Sequence, residues 1–529
     1  FVNLYHQRSA IQMFRKSTIN KQLDMFSSPA QMMGRRESNQ YDDPNAWHNK
    51  FYREVTSKVD EDIFKPLFSD GKANGKDGRP NAPIRILFAM RVLKEGCGCS
   101  DESLYEQCRY NLLFRAALGL FNLSDSCPSI DTYYGFYRSL CKYNEEHDVD
   151  LFKECFQRIT KTQTKEYRIS GRSVRMDSKL ISSNIAWYSR YEIIQKTFVG
   201  SVTRSELEKT DDQMIRQQAL EFFDEDAAKT VYRTDSDTMG HRLLNLGLVI
   251  DNVLGHCGRD EKILLRRVFH EQYEKTDDGT VSVRDKKLVS AKSVQNPNDS
   301  EAQYRGKNGK KVKGFCTNIT ETCDNPGKLN LITDVTVEGA GTADNSYVKD
   351  ALKESEKVTG DKVEVLHSDD AYQSETNRQL AADPENGFKF VANGIQGKPS
   401  RYELNLTDDH NLEVTDKHTG EVIQATPAGQ NKWKIKITND EGKTSWRYFG
   451  AEQIEKSKAR KEVESIPFGE RKKRNNVEAT IFQYCFHTRN NKTRYRGKIK
   501  HMLQAVARCV WINMRRLFLF DARIAAQMA

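Results

Sequence analysis

Three acidic residues, Asp177, Asp369 and Glu478, occupy comparable places in this chain. Asp177 falls inside "SVRMDSKLI", a stretch with the alternation and β-branched content of a strand. Asp369 follows the apolar "KVEVLHS" at the end of a later strand, and Glu478 begins the helical pattern "VEATIFQYCFH". The ends of neighbouring strands are where an open α/β sheet places its chemistry. Three carboxylates at one spot repel one another and raise each other's pKa values, so the arrangement makes sense only around a cation. Hard oxygen ligands without a nearby Cys or His pair select Mg²⁺, or Mn²⁺, over zinc. Two such ions about 4 Å apart activate an attacking oxygen and stabilise a leaving one during phosphoryl transfer. Taken singly, each acid would read as a solvated charge.

The cations around these acids suit the same chemistry. Arg471, Lys472, Lys473 and Arg474 directly precede the Glu478 helix, and Arg474 stands one turn before Glu478, where it can share its face and aim at a phosphate. Arg489, Lys492, Arg494, Arg496, Lys498 and Lys500 extend a basic stripe fit for a nucleic-acid backbone. A solvated surface accounts for the stripe equally well when it is taken alone. Upstream, "NKWKIKIT" alternates strictly, with Trp433, Ile435 and Ile437 on one face and Lys432, Lys434 and Lys436 on the other, where they can lie along phosphates.

At 529 residues the chain is too long for one core, and roughly 150 residues per domain suggests three or so units. Its 83 Lys and Arg against 74 Asp and Glu describe a moderately basic protein, and the net charge of +9 identifies no partner by itself. No run reaches the roughly 18 apolar residues of a membrane span, and the start lacks the order of a signal peptide, so the expected location is the cytoplasm. The 11 cysteines include no Cys-x-x-Cys pair; Cys97, Cys99, Cys108 and Cys127 match no zinc spacing and read as buried thiols. The segment "FVNLYHQRSAIQ" before Met13 reads as an upstream extension and is set aside.

The elements that must position the acids form an α/β arrangement, a mixed sheet flanked by helices. An all-helical N-terminal domain is expected over 1–165, with 1–12 extraneous. Pro83 opens its helix "NAPIRILFAMRVLKEG", which Gly96 is expected to stop, and Ser100 caps the next one. These short helices suit a helix-turn-helix DNA reader and an ordinary packing domain equally. The sheet begins over 166–200, is interrupted by a helical insertion over 201–310, and resumes over 311–395. A β-rich insertion follows over 396–465, and C-terminal helices over 466–529 complete the core. The stretch "SVQNPNDSEAQYRGKNGKK" reads as loop. Leu503, Val506, Val510, Met514 and Leu517 form the buried stripe of the last helix.

"MDSKLISSNIA", "HSDDAY" and "RNNVEATIFQY", the last followed by "KTRYRGKIKHMLQAVARCVWINMRRL", resemble the three catalytic blocks of bacterial DDE insertion-sequence transposases, in particular the group numbered eleven eighty-two. "RPNAPIRILFAMRVL" and "CPSIDTYYGFYRSL" resemble that group's helical N-terminal domain. The resemblance runs from about residue 20 to 520, with its blocks in the expected order. It implies a ribonuclease-H-like core, two Mg²⁺ ions and cut-and-paste chemistry on the element's own terminal inverted repeats. It further implies double-stranded DNA at the ends and at the target, a homodimer on DNA, and a bacterial, nucleoid-associated setting. Carried over, the catalytic and metal-binding triad is Asp177, Asp369 and Glu478, and Asp370 takes a small-residue position of the family pattern. A related group's signature of Tyr, Arg, Glu and Lys is kept at Arg474 and Glu478 but has Arg471 at the Tyr position and Cys485 at the Lys position. Lys492, Arg494 and Lys498 are the candidates to replace that missing cation. A DNA-binding protein without catalysis, and a ribonuclease-H-like nuclease without strand transfer, are the competing readings.

Overall fold

The structure is a computed structural model that describes residues 14–18, 27–68, 80–307, 309–385, 387–392, 394, 400–407, 411–438 and 444–528. The N-terminal extension therefore lies outside the described residues. Among the described residues, thirteen strands are numbered in chain order. They are β1 Ser173–Ser182, β2 Tyr273–Lys275, β3 Val281–Val283, β4 Gln303–Lys307, β5 Lys310–Thr322, β6 Ile332–Gly339, β7 Val365–Ser368 and β8 Lys389–Ala392. Then follow β9 Tyr402–Leu406, β10 Leu412–Asp416, β11 Val422–Gly429, β12 Lys432–Thr438 and β13 Thr444–Gly450.

The central sheet is mixed and runs β6-β5-β1-β7-β8. Strands β1, β5 and β6 are antiparallel neighbours, whereas β7 and β8 run parallel to β1. The short β4 folds back onto the start of β5, so part of the stretch expected as loop is a strand that extends the sheet. Alternation along β1 assigns its two faces. Val174 and Met176 share a cluster with Val348, Ala351 and Leu352 of the helix Val348–Thr359. Arg175 and Asp177 belong to the other face, where the helix Asn475–Cys485 packs against β1.

The N-terminal helices do not form a core of their own. Phe51, Phe88, Leu93 and Phe152 belong to one hydrophobic cluster with Ile181, Phe315 and Val335 of the sheet and Val506 and Val510 of the C-terminal helix Lys498–Met528. All five residues of the expected C-terminal stripe are buried, each worth about 1.5–3 kcal/mol relative to exposure. The helix Ile84–Cys97 is buried nearly all round, which makes it a core helix rather than one free to enter a DNA groove. It runs past Gly96 and is ended by Gly98 in the left-handed region at φ 72°. Gly96 serves a different end: a Cβ there would meet the Trp511 ring at 2.3 Å, so its missing side chain lets the C-terminal helix approach closely. Ser100 caps the following helix by accepting from the Ser103 N–H, as its type and place predict.

Between β1 and β4, six helices from Arg190 to Gln272 and the hairpin β2-β3 bury a separate cluster around Ile194, Leu246, Ile250 and Val268. This helical unit begins at Arg190, eleven residues before the expected boundary of 201, because Tyr191, Ile194 and Phe198 supply part of its core. After β8 a five-stranded antiparallel sheet, β9 to β13, is covered by the helix Ala451–Ser465, whose Ser457 hydroxyl accepts from the Leu404 N–H.

Candidate functional site

The register of the sheet brings the first two acids together. Arg175 on β1 pairs with His367 on the parallel β7, so two residues onward Asp177 and Asp369 emerge side by side. Asp369 leaves the end of β7 and caps a short 3-10 turn, its carboxylate accepting from the Asp370 N–H at 2.8 Å. Glu478 comes from the first turn of the helix Asn475–Cys485, where a carboxylate is favoured by the helix dipole.

One guanidinium joins them. Arg474 reaches Asp177 at 3.6 Å, Asp369 at 3.7 Å and Glu478 at 3.4 Å. These contacts span three separate segments of the chain. The Arg474 side chain is only 13% exposed, and its Nε is buried without a hydrogen-bond partner. The acids grade outward from the sheet: the Asp177 side chain is 16% exposed, Asp369 37% and Glu478 59%. Burial pushes the Asp177 carboxyl up to about 6, helped by the charge of Asp369 and opposed by Arg474, the Ser178 N–H and Lys307. Asp370 is raised as well, by burial and by Asp369, and one of its oxygens is buried without a partner beside Gly394. Of the two adjacent aspartates, Asp369 is the one that meets Arg474. Arg474 stands among the three carboxylates, which do not form a group of oxygens all within 4.8 Å of one another; their all-oxygen donor set is the kind a hard divalent cation takes.

A buried ion network beneath the site holds the helix that carries Glu478 to the sheet. Glu321 of β5 is fully buried and binds Arg175 of β1, Arg516 of the C-terminal helix at 2.8 Å and the Thr480 hydroxyl at 2.8 Å. Burial alone would raise the Glu321 carboxyl, yet Arg516 and Arg175 hold it below its ordinary value. Beside Asp177, the Ser178 hydroxyl donates to Asp344, a buried acid also held by Arg305 at 3.1 Å. Glu321, Arg175, Arg516, Asp344 and Arg305 were not legible from spacing, because their partners come from distant segments.

The expected DNA-facing cations divide. Lys472 lies over the Phe468 ring at 4.2 Å, and Lys473 is held between Asp324 at 2.6 Å and Glu470 at 2.8 Å. The Arg471 Nε is buried without a partner. The second cluster, Lys492 to Lys498, is engaged with the protein rather than forming a bare stripe. Arg494 donates to the carbonyls of Cys99 and Gly98, just past the end of the helix Ile84–Cys97. Arg496 donates to the Asn184 carbonyl at 2.7 Å, Lys492 to that of Ile185 at 3.3 Å, and Lys498 pairs with Glu338 at 2.8 Å. Cys485 is half-buried against the core and supplies no cation. On β12 the alternation is as expected, with Trp433 and Ile435 buried, Lys432 and Lys436 exposed and Lys434 half-exposed. Pairing with β13 adds Trp446 and Tyr448 to the lysine face; they are 52% and 57% exposed, and Lys434 lies 4.6 Å over the Trp446 ring. Among the described residues, no helix is long and apolar enough to cross a membrane.

Residues 39–139 match the family model described as Transposase domain (DUF772), a match that ends before β1. A solved structure described as "Cryo-EM structure of piggyBac transposase synaptic complex with hairpin DNA (SNHP)" aligns with 92% of this chain and 76% of its own, at 9% identity and a TM-score of 0.32. No curated protein matches the chain.

Proposed function

We propose that this protein is a DNA transposase of the DDE type, which binds the terminal inverted repeats of its own insertion sequence and carries out metal-dependent strand cleavage and strand transfer. The observation that carries the reading is the convergence of Asp177, Asp369 and Glu478 on one guanidinium at 3.4–3.7 Å. Two further features support it. The transposase-domain match covers the N-terminal helices, and a mixed sheet with three antiparallel strands followed by two parallel ones is the arrangement expected of a ribonuclease-H-like core.

In this reading Asp177, Asp369 and Glu478 would hold two Mg²⁺ ions, or Mn²⁺ in their place. When bound, such ions supply Lewis-acid activation of the attacking and leaving oxygens. Arg474 grips the phosphate between the acids through two donors of fixed geometry. The network around Glu321 fixes the helix that carries Glu478 against β1, so that the carboxylates keep their relative places. Lys432, Lys434 and Lys436 lie along the backbone of the end DNA, and two copies of the chain assemble on a pair of ends. Incubation with DNA from both flanks of its own gene, with Mg²⁺ present, tests the reading. Nicks at the element's ends are expected, and intact ends under conditions where the protein binds that DNA would refute it.

A further inference from the structure

Below the triad lies a second cluster of metal-binding residue types. The Cys323 thiol, the Asp324 carboxylate and a ring nitrogen of His367 all lie within 4.8 Å of one another. The residues come from both sides of β1: Cys323 and Asp324 follow the end of β5, and His367 is on β7. His367 is fully buried, and neither of its ring nitrogens has a hydrogen-bond partner. A buried imidazole normally satisfies at least one nitrogen, because an unpaired buried polar group costs about 1–3 kcal/mol. Cys323 is buried too, while Asp324 stands at the rim with its side chain 43% exposed.

We propose that Cys323, Asp324 and His367 form a zinc site distinct from the Asp177, Asp369 and Glu478 centre. Sulfur, imidazole and carboxylate ligands favour Zn²⁺ over the hard ions suited to the triad. Zinc bonds of about 2.0–2.3 Å put tetrahedral ligand atoms on the order of 3.5 Å apart, a modest contraction from the spacing seen. The surrounding charges are compatible. Arg175 lies 3.9 Å from the Cys323 sulfur, and Lys473 holds Asp324 at 2.6 Å, so each ligand already has a cation beside it. Zinc takes the place of Lys473 on Asp324, the Cys323 thiol releases its proton to solvent, and a water completes the four-coordinate shell. The ion ties the end of β5 to β7 and releases Lys473, next to Arg474, from Asp324 to its remaining partner Glu470. The inference rests on these residues alone and stands or falls independently of DNA cleavage.

Titration of the full chain with Co²⁺, after removal of metals by chelation, tests the site, with Zn²⁺ competition to rank affinity. One equivalent is expected to give a thiolate-to-cobalt absorption band that Zn²⁺ abolishes. Cys323→Ser should lose the band, and Asp324→Asn, at an exposed rim position that does not endanger folding, should weaken binding by roughly 10- to 100-fold. Asp369→Asn should leave the band intact, which separates this site from the triad. A parent protein without the band, or Asp324→Asn binding cobalt as tightly as the parent, would overturn the proposal.

Discussion

Arg474 Nη2 lies 3.6 Å from Asp177 Oδ2, although 297 positions separate the two residues, and the same guanidinium meets Asp369 and Glu478. A planar group with donors on several edges can serve three acids at once, which a single ammonium cannot. Arg474→Lys is therefore expected to keep most of the DNA affinity yet lower the cleavage rate by about 10-fold or more, as the contact matters most when charge develops on the phosphate. Single-turnover cleavage at saturating DNA measures this. A rate equal to the parent's would remove Arg474 from the site.

Binding and chemistry should separate at Asp177. Asp177→Ala takes away a buried charge that repels phosphate, so end binding should persist or strengthen slightly while strand cleavage disappears. Gel-shift and cleavage assays on the same DNA distinguish the outcomes. Joint loss of both would make Asp177 a structural residue.

The exposed face of β12 offers a salt-dependence test. Replacing Lys432, Lys434 and Lys436 together by Gln should weaken binding to all DNA sequences alike and reduce the slope of log affinity against log salt by about 3 if each lysine touches a phosphate. Binding measured across a salt series gives the slope, and an unchanged value would return these lysines to a solvated surface.

Glu321 provides the pH-dependent prediction. Its folded-state pKa is depressed by Arg516 and Arg175, so its contribution to stability is complete above the ordinary value of 4.5 and is lost as pH falls through the lower folded value. Glu321→Gln leaves the buried Arg175 and the half-buried Arg516 without their carboxylate and should cost about 3–5 kcal/mol at pH 7. The gap from the parent should hold between pH 8 and 5 and narrow below about pH 4. Urea unfolding across that range checks it; a gap that widens in acid would contradict the assignment.

Much of the arrangement was legible in local pattern. The alternation of "SVRMDSKLI" placed Asp177 on a strand, the cap at Ser100 and the stripe from Leu503 to Leu517 were set by residue type and spacing, and Asp369 and Glu478 fell at the end of a strand and the start of a helix. What escaped was non-local. Gly96 reads as a helix stop in sequence, but its role depends on Trp511, far along the chain. Arg494 and Lys498 read as free cations because their partners, the carbonyls of Gly98 and Cys99 and the Glu338 carboxylate, lie in other segments. The cluster of Cys323, Asp324 and His367 follows no ligand spacing, since β1 separates its two halves in the sheet.

Whether the three carboxylates act as one centre is read from the initial rate of Mg²⁺-dependent cleavage of the element's end DNA by single variants. Asp177→Asn, Asp369→Asn and Glu478→Gln should each abolish cleavage while retaining DNA binding, whereas Asp370→Asn, whose carboxylate does not meet Arg474, should stay within about 10-fold of the parent. Cleavage at the parental rate by any one of the first three would contradict the claim.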